Sequence, residues 1–410
     1  MAEVMPTAGL DWACRLLFES DGRVVARRRG QAAPAGFERV ESYLALPRAA
    51  NPRLLVPLSS PAAAAAALAR NHDATSTKAR IGRAALGAGL RVGLTQRVAD
   101  RVDVFVDPAL PAALRPEHLL TDHLRAMFGR ADLQMAVILG VPRLNRKPVL
   151  QVLASDGTVV GYVKAAWNDL TAGLVRNETR VLRHLAARRP TTFTPPALVA
   201  AGPWGDLELI AASALPNAAR PDQAQVFDPP MEVIAEIAGL WGRSTARLAD
   251  SPYWAGVRER LAAQAGSDVL DKAVAWIERQ FGATEIAFGA WHGDFTPWNM
   301  ARLPQATYVW DWERAAPGPA GLDLLHFLFQ SVCRFEGRAP AHAVETCSER
   351  AAGLLPVLDV VPGSERALWS LYRLELLLRY DEARMAGVLA RQSKIHEGIL
   401  EMFDRDMEGG

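Results

Sequence analysis

His292-Gly-Asp294-Phe-Thr-Pro-Trp-Asn299, followed by Val309-Trp-Asp311-Trp-Glu313, decides how this 410-residue chain is read. An Asp stands two residues after a His, and an Asn five residues after that Asp. A second Asp follows twelve residues later, closing the apolar stretch Tyr308-Val309-Trp310. Phosphoryl transfer from a magnesium nucleotide requires carboxylate, amide and carboxylate in that order. One carboxylate meets the acceptor hydroxyl, while an amide oxygen and the second carboxylate hold the metal on the phosphates. Magnesium takes hard oxygen ligands and keeps several waters, so one amide and one carboxylate suffice beside the phosphates. Alone, His-x-Asp is an ordinary surface turn and Asp-Trp-Glu an ordinary solvated strand end; the signal is their combination.

Outward from this block the chain divides into three regions. Residues 1–125 read as an α+β domain. It begins with a hairpin of Cys14–Phe18 and Arg23–Arg27 about Asp21-Gly22, followed by a strand at Arg53–Leu58. Ser60-Pro61 caps an alanine-rich helix reaching Arg70. A basic helical segment with Lys78, Arg80, Arg83 and Arg91 lacks aromatic anchors and reads as a solvated face rather than a membrane-binding one. A strand at Val102–Val106 and a helix over Pro116–Phe128 complete the region.

Residues 126–215 change to strands at Met135–Leu139, Val149–Leu153 and Val159–Ala165, the last two joined by a turn at Asp156-Gly157. A helix over Leu174–Ala187 and a strand at Leu207–Ile210 follow. From residue 216 to 410 the pattern is mainly helical, with apolar residues at helical spacing over Met231–Leu248, Val269–Phe281 and Leu368–Leu389. The fold class is therefore α+β.

Composition narrows the function. Half the residues are hydrophobic and 22% charged, as in a folded globular chain, and a net charge of +1 offers no field for nucleic acid. The three cysteines are scattered, without metal or disulfide spacing, which makes a reducing cytoplasm the default. The first residues lack the pattern of a signal peptide, and the longest apolar runs, such as Ala62–Ala69, are far short of the ~20 residues of a membrane span.

The stretch His292–Asn299 with Asp311, and with Pro317, Gly318 and Asp323 behind it, resembles the aminoglycoside phosphotransferases and choline-kinase-like small-molecule kinases. The resemblance spans roughly residues 130–390 and is strongest over 291–327. It implies a two-lobed, protein-kinase-like fold, with a small antiparallel-sheet lobe and a mainly helical lobe, binding ATP and Mg²⁺. Residues 1–125 would be an extra domain. Asp294 would be the catalytic base or orienting carboxylate, and Asn299 and Asp311 the magnesium ligands. Lys164, on the third strand, would bind the nucleotide phosphates and pair with Glu178.

The residues add their own constraints. His292 reads as a brace for the loop through its ring rather than as an acid. Glu178 has Arg180 and Arg183 as ordinary helix-surface alternatives to Lys164. The loop Gly140–Pro148 has one glycine, Gly140, and carries Arg143, Asn145, Arg146 and Lys147 where a phosphate clamp carries glycines. Gly140, Arg146 and Lys147 are therefore expected at the phosphates, with side-chain cations doing part of the work, or else this is a solvated basic hairpin. Asp323, in Gly321-Leu-Asp-Leu-Leu-His326, suits a helix start and in the relatives supports the catalytic region. Glu313 stands open between cleft and solvent.

Only five residues separate Asp311 from Pro317, too few for a segment that presents a peptide, so a small-molecule hydroxyl fits as acceptor better than a protein. A sugar, an aminoglycoside-like cation or another alcohol are equally open. The alternative is a kinase-fold binding or scaffold protein without catalysis.

Overall fold

The computed structural model describes residues 9–70, 100–140, 146–216, 219, 225–263, 268–385 and 394–408. The basic segment around residues 78–91, and Arg143 and Asn145 of the loop after Gly140, lie outside the described residues. The chain forms two compact units, residues 1–179 with 197–215, and residues 180–196 with 216–410. The architecture is mixed α+β, with a large antiparallel sheet and many helices, as the sequence led us to expect.

Among the described residues the first unit is built on nine strands: β1 (Val24–Arg28), β2 (Glu38–Leu46), β3 (Leu54–Pro57), β4 (Arg101–Val106), β5 (Leu133–Ile138), β6 (Val149–Ala154), β7 (Val159–Ala166), β8 (Leu198–Trp204) and β9 (Leu207–Ser213). They form one sheet in the order β1-β4-β2-β3-β5-β6-β7-β9-β8, with antiparallel pairing throughout. The pair β3–β5, with Leu54 opposite Ile138 and Leu55 opposite Val137, joins the strands before residue 125 to those after it. One buried apolar cluster runs from Leu10 and Leu17 through Val104 and Val137 to Val163 and Ala211. Central strands such as β6 are buried on both faces, so they read as apolar runs rather than alternations.

Asp156-Gly157 makes the β6–β7 turn, where Thr158 donates its backbone N–H to the Asp156 carboxylate at 2.8 Å. Ser60 caps the helix Pro61–Arg70, accepting the Ala63 N–H at 3.2 Å. The helix Asp169–Arg188 follows β7 directly and carries Glu178.

Four local expectations need correction. Leu10–Leu17 is a helix, not the first arm of a hairpin: Leu10, Ala13, Cys14 and Leu17 are its buried face, a period of 3.6 that begins upstream of the segment read as strand. The helix expected over 116–128 is broken at Leu119, whose extended backbone separates Arg115–His118 from Leu120–Phe128. The helix beginning at Met231 ends at Ala238, and Ser244–Arg247 is a strand, β10. Strand β8, like β2, is an addition to the expected set. It lies at the sheet edge, mostly half-exposed, and contains Gly202-Pro203, which an edge tolerates because the missing N–H faces no partner.

Among its described residues the second unit is mainly helical, with two small sheets. Strand β11 (Glu285–Trp291) lies between β10 and β14 (Ala316–Pro319), and β12 (Met300–Leu303) pairs with β13 (Ala306–Val309). Among its helices are Asp268–Phe281, Leu322–Ser331, Pro340–Ala352, Glu365–Met385 and Lys394–Glu408. No helix among the described residues is long and apolar enough to cross a membrane. Cys14 and Cys347 are buried, Cys333 is half-buried, and all three are free thiols. Burial pushes each thiol pKa up to about 12.

Candidate active site

Strand β11 delivers the chain into His292-Gly293-Asp294, and the helix Leu322–Ser331 fixes that tripeptide from below. Asp323, in the first turn of the helix, accepts the backbone N–H groups of His292 at 2.7 Å and of Gly293 at 3.2 Å. One helical turn later His326 reaches the third residue: its Nε2 lies 3.0 Å from Asp294 Oδ1. Asp323 and His326 fall on one face because they are three residues apart. The rest of the helix from Leu322 to Phe329 is buried and apolar, which anchors the pair in the core.

Gly293 is required here twice over. Its φ is +84°, and a Cβ would stand 2.4 Å from the Arg314 carbonyl oxygen. Gly293→Ala is therefore expected to destabilise the protein by about 1–3 kcal/mol, measurable by urea denaturation; unchanged stability would contradict this packing.

Asp294 is held on both carboxylate oxygens. Oδ1 faces His326, and Oδ2 accepts the Asn299 amide at 2.8 Å, while the same Nδ2 also donates to the Asp294 carbonyl at 2.9 Å. Burial alone would raise its pKa. The His326 hydrogen bond, with the nearby Arg379 cation, outweighs burial and holds the carboxyl well below the usual range. His326 shifts down through burial, against the pull of Asp294. These directions agree on an ionised Asp294 and a neutral His326 that donates from Nε2. Its Nδ1 then accepts the Tyr372 hydroxyl, 3.1 Å away.

His292 is fully buried, accepts the Asp294 N–H at Nδ1 (3.2 Å) and donates from Nε2 to the Trp310 carbonyl (3.1 Å). Its ring packs 4.4 Å from that of Trp312, which in turn stacks on Phe193. Arg379, on the helix Glu365–Met385, donates to the Gly293 carbonyl at 2.5 Å and lies over the Trp291 ring.

The β12–β13 hairpin brings the second half of the motif beside the first. Met300 pairs with Val309, and the Trp310 N–H donates to the Asn299 carbonyl at 3.0 Å, so Asn299 and Asp311 flank the open end of the hairpin. Asp311 adopts a left-handed backbone, φ 70° and ψ 52°, which Asp tolerates better than most residues and which concentrates at functional sites. With Nδ2 of Asn299 turned to Asp294, its amide Oδ1 is left as a hard oxygen donor. Asn299 and Asp311 together could hold a divalent cation of the magnesium type. Glu313 is half-exposed in the turn Trp312–Arg314.

In the first unit the structure brings Lys164 and Glu178 together, Nζ to Oε2 at 2.6 Å, with side chains 19% and 7% exposed. Gly140 stands just after β5 with φ +61°. Lys147 is half-exposed on the approach to β6. Arg146, expected among the phosphate-binding cations, is a correction. It is 3% exposed, donates to the Leu139 carbonyl, lies 4.9 Å over the Trp12 ring, and its own carbonyl accepts the Trp167 indole N–H. Its cation is held between the Trp12 ring and the Leu139 carbonyl.

Three residues of the site escaped the sequence reading: His326, Tyr372 and Arg379. A histidine three residues after Asp323 in an otherwise apolar helix was the available signal. Tyr372 and Arg379, seven apart, share a helix face, but nothing in their spacing points at the distant His292 block.

No protein-family profile matches the chain, and no curated protein sequence matches it. Solved structures do. A thermostable mutant of the aminoglycoside phosphotransferase APH(4)-Ia is 15% identical, with 71% of this chain and 100% of that one covered at a TM-score of 0.47. An amicoumacin kinase, in complex with AMP-PNP, Ca²⁺ and Ami, is 13% identical over 64% of this chain and 85% of its own, with a TM-score of 0.43. A choline/ethanolamine kinase family protein from Mesorhizobium loti is 13% identical over 69% and 100%, with a TM-score of 0.36. The chain's structural neighbours are thus aminoglycoside phosphotransferases and choline kinases, at low identity.

Proposed function

We propose that this chain is an ATP- and magnesium-dependent phosphotransferase that moves the γ-phosphate to a hydroxyl of a small molecule. The observation that carries the reading is the state of Asp294: an ionised carboxylate with each oxygen held by a separate donor, one of them Asn299, which with Asp311 flanks the open end of the β12–β13 hairpin. Asp294 accepts a hydrogen bond from the acceptor hydroxyl and turns its oxygen toward the γ-phosphorus. As the new O–P bond forms, the bond to the β-phosphate oxygen breaks, ADP leaves, and the hydroxyl proton passes toward Asp294 and solvent. A low pKa suits this role, because a loose transition state needs the hydroxyl oriented more than deprotonated early.

Asn299 and Asp311 would hold magnesium, which when bound neutralises charge on the phosphates. Lys164, kept in place by Glu178, would bind the nucleotide phosphates with Gly140 and Lys147. One charge-assisted hydrogen bond contributes about 1.5–3 kcal/mol. Lys164→Met should therefore raise the nucleotide KM about tenfold to a hundredfold, read from steady-state kinetics at saturating acceptor. An unchanged KM would remove Lys164 from the phosphates.

Thermal shift with ATP, with and without Mg²⁺, followed by an ATPase assay, tests the reading as a whole. A magnesium-dependent shift with hydrolysis or transfer supports it. A shift without either, across a broad acceptor panel, favours a kinase-fold binding protein.

A further inference from the structure

We propose that His326 and Tyr372 form a clamp that sets the plane of the Asp294 carboxylate, making His326 a positioning residue for the phosphotransferase reaction. The inference rests on the phosphotransferase reading for its catalytic meaning, and on geometry for the clamp itself. His326 is 3% exposed and Tyr372 fully buried, so both polar groups gave up water to be there, a cost that only matched partners offset. The partners are matched at every atom. Tyr372 donates its hydroxyl to Nδ1 at 3.1 Å, which leaves the imidazole proton on Nε2, and Nε2 meets Asp294 Oδ1 at 3.0 Å.

The rings are locked as well as bonded. Tyr372 stands edge-on to His326 at 5.8 Å, to Phe329 at 5.6 Å and to Trp369 at 5.8 Å. Asn299 fixes Oδ2 from the other side. With one oxygen held by a packed imidazole and the other by an amide, the carboxylate cannot rotate about its Cβ–Cγ bond without breaking a hydrogen bond to a charged group. Holding a reacting group in one orientation acts on the turnover step and leaves substrate affinity alone.

Kinetics and imidazole nitrogen NMR test the proposal together. His326→Leu removes the donor, His326→Gln places an amide Nε2 where the imidazole Nε2 stands, and Tyr372→Phe frees the tautomer. His326→Leu should lower kcat about tenfold to a hundredfold, the effect of one hydrogen bond to a charged group, with nucleotide KM unchanged. His326→Gln should recover most of that loss. Tyr372→Phe should lower kcat severalfold in the wild-type background and have no further effect in His326→Gln. Equal kcat for the Leu and Gln variants, a loss confined to KM, or a Tyr372→Phe effect that persists in the His326→Gln background would overturn it.

The NMR readout needs neither activity nor a variant that folds poorly: the wild-type His326 ring should be the neutral Nε2–H tautomer. An Nδ1–H tautomer overturns the clamp whatever the kinetics. Wild-type protein without transfer activity overturns the phosphotransferase reading, and with it the catalytic role, while the tautomer still reports the clamp.

Discussion

Asp294→Asn lowers phosphoryl transfer by about 10²–10⁴-fold, the range for a positioned proton acceptor, while nucleotide binding stays within a few-fold of the parent protein. The substitution keeps size and shape, so the loss isolates charge and acceptor capacity. It also inverts one hydrogen-bond partner. Asp294 accepts from His326 on Oδ1 and from Asn299 on Oδ2, and an amide at this position can accept on one side only. With the oxygen kept toward Asn299, the new NH₂ would face His326, which can respond by moving its proton to Nδ1 and donating to Tyr372. That tautomer exchange limits the stability cost, so the variant should fold and still bind nucleotide. Steady-state transfer rates beside nucleotide titrations check the split. Activity at the parent level removes Asp294 from the reaction.

Asp323→Ala carries the largest expected effect on stability. The side chain is 2% exposed and accepts two buried backbone N–H groups, those of His292 and Gly293. Each orphaned N–H costs about 1–3 kcal/mol, so the variant should lose about 2–6 kcal/mol, and transfer should fall as the loop is released.

The same residue gives a pH signature. Burial pushes Asp323 up to about 7, against the two backbone N–H groups and Arg379, which lower it. Its folded pKa lies above the ordinary 3.8, so the folded state binds the proton more tightly than the unfolded chain. The stability it contributes is complete below about pH 4 and is lost as pH rises through about 7. Urea denaturation at pH 5, 6, 7 and 8 should show declining stability across that window, and Asp323→Asn should flatten the decline. The same slope in both proteins would place the titration elsewhere.

Much of this arrangement was legible in the sequence, because local spacing encodes it. His292, Asp294 and Asn299 lie on one loop, and the hairpin that returns Asp311 to Asn299 spans only residues 300–309. The strands β5, β6 and β7 were readable because Asp156-Gly157 punctuates them and their apolar runs are long. What local pattern could not supply was the support from afar. Tyr372 and Arg379 come from a helix that begins at Glu365, and their roles depend on packing that no periodicity records.

Arg146 failed for the opposite reason. Its neighbours in sequence look like a solvated basic loop, while its environment is set by Trp12 and the Leu139 carbonyl. The N-terminal helix is hidden in the segment Cys14–Phe18 because its apolar period begins upstream, at Leu10.

The central claim is that Asp294 orients a small-molecule hydroxyl for attack on a nucleotide γ-phosphate. The most direct test offers γ-labelled ATP and Mg²⁺ to the parent protein and to Asp294→Asn, with a panel of sugars, aminoglycosides and other alcohols. The label should pass to at least one acceptor with the parent protein, stop when Mg²⁺ is chelated, and fall by about 10²–10⁴-fold in Asp294→Asn. Equal transfer by the two proteins, or no transfer and no ATP hydrolysis by the parent across the panel, would contradict it.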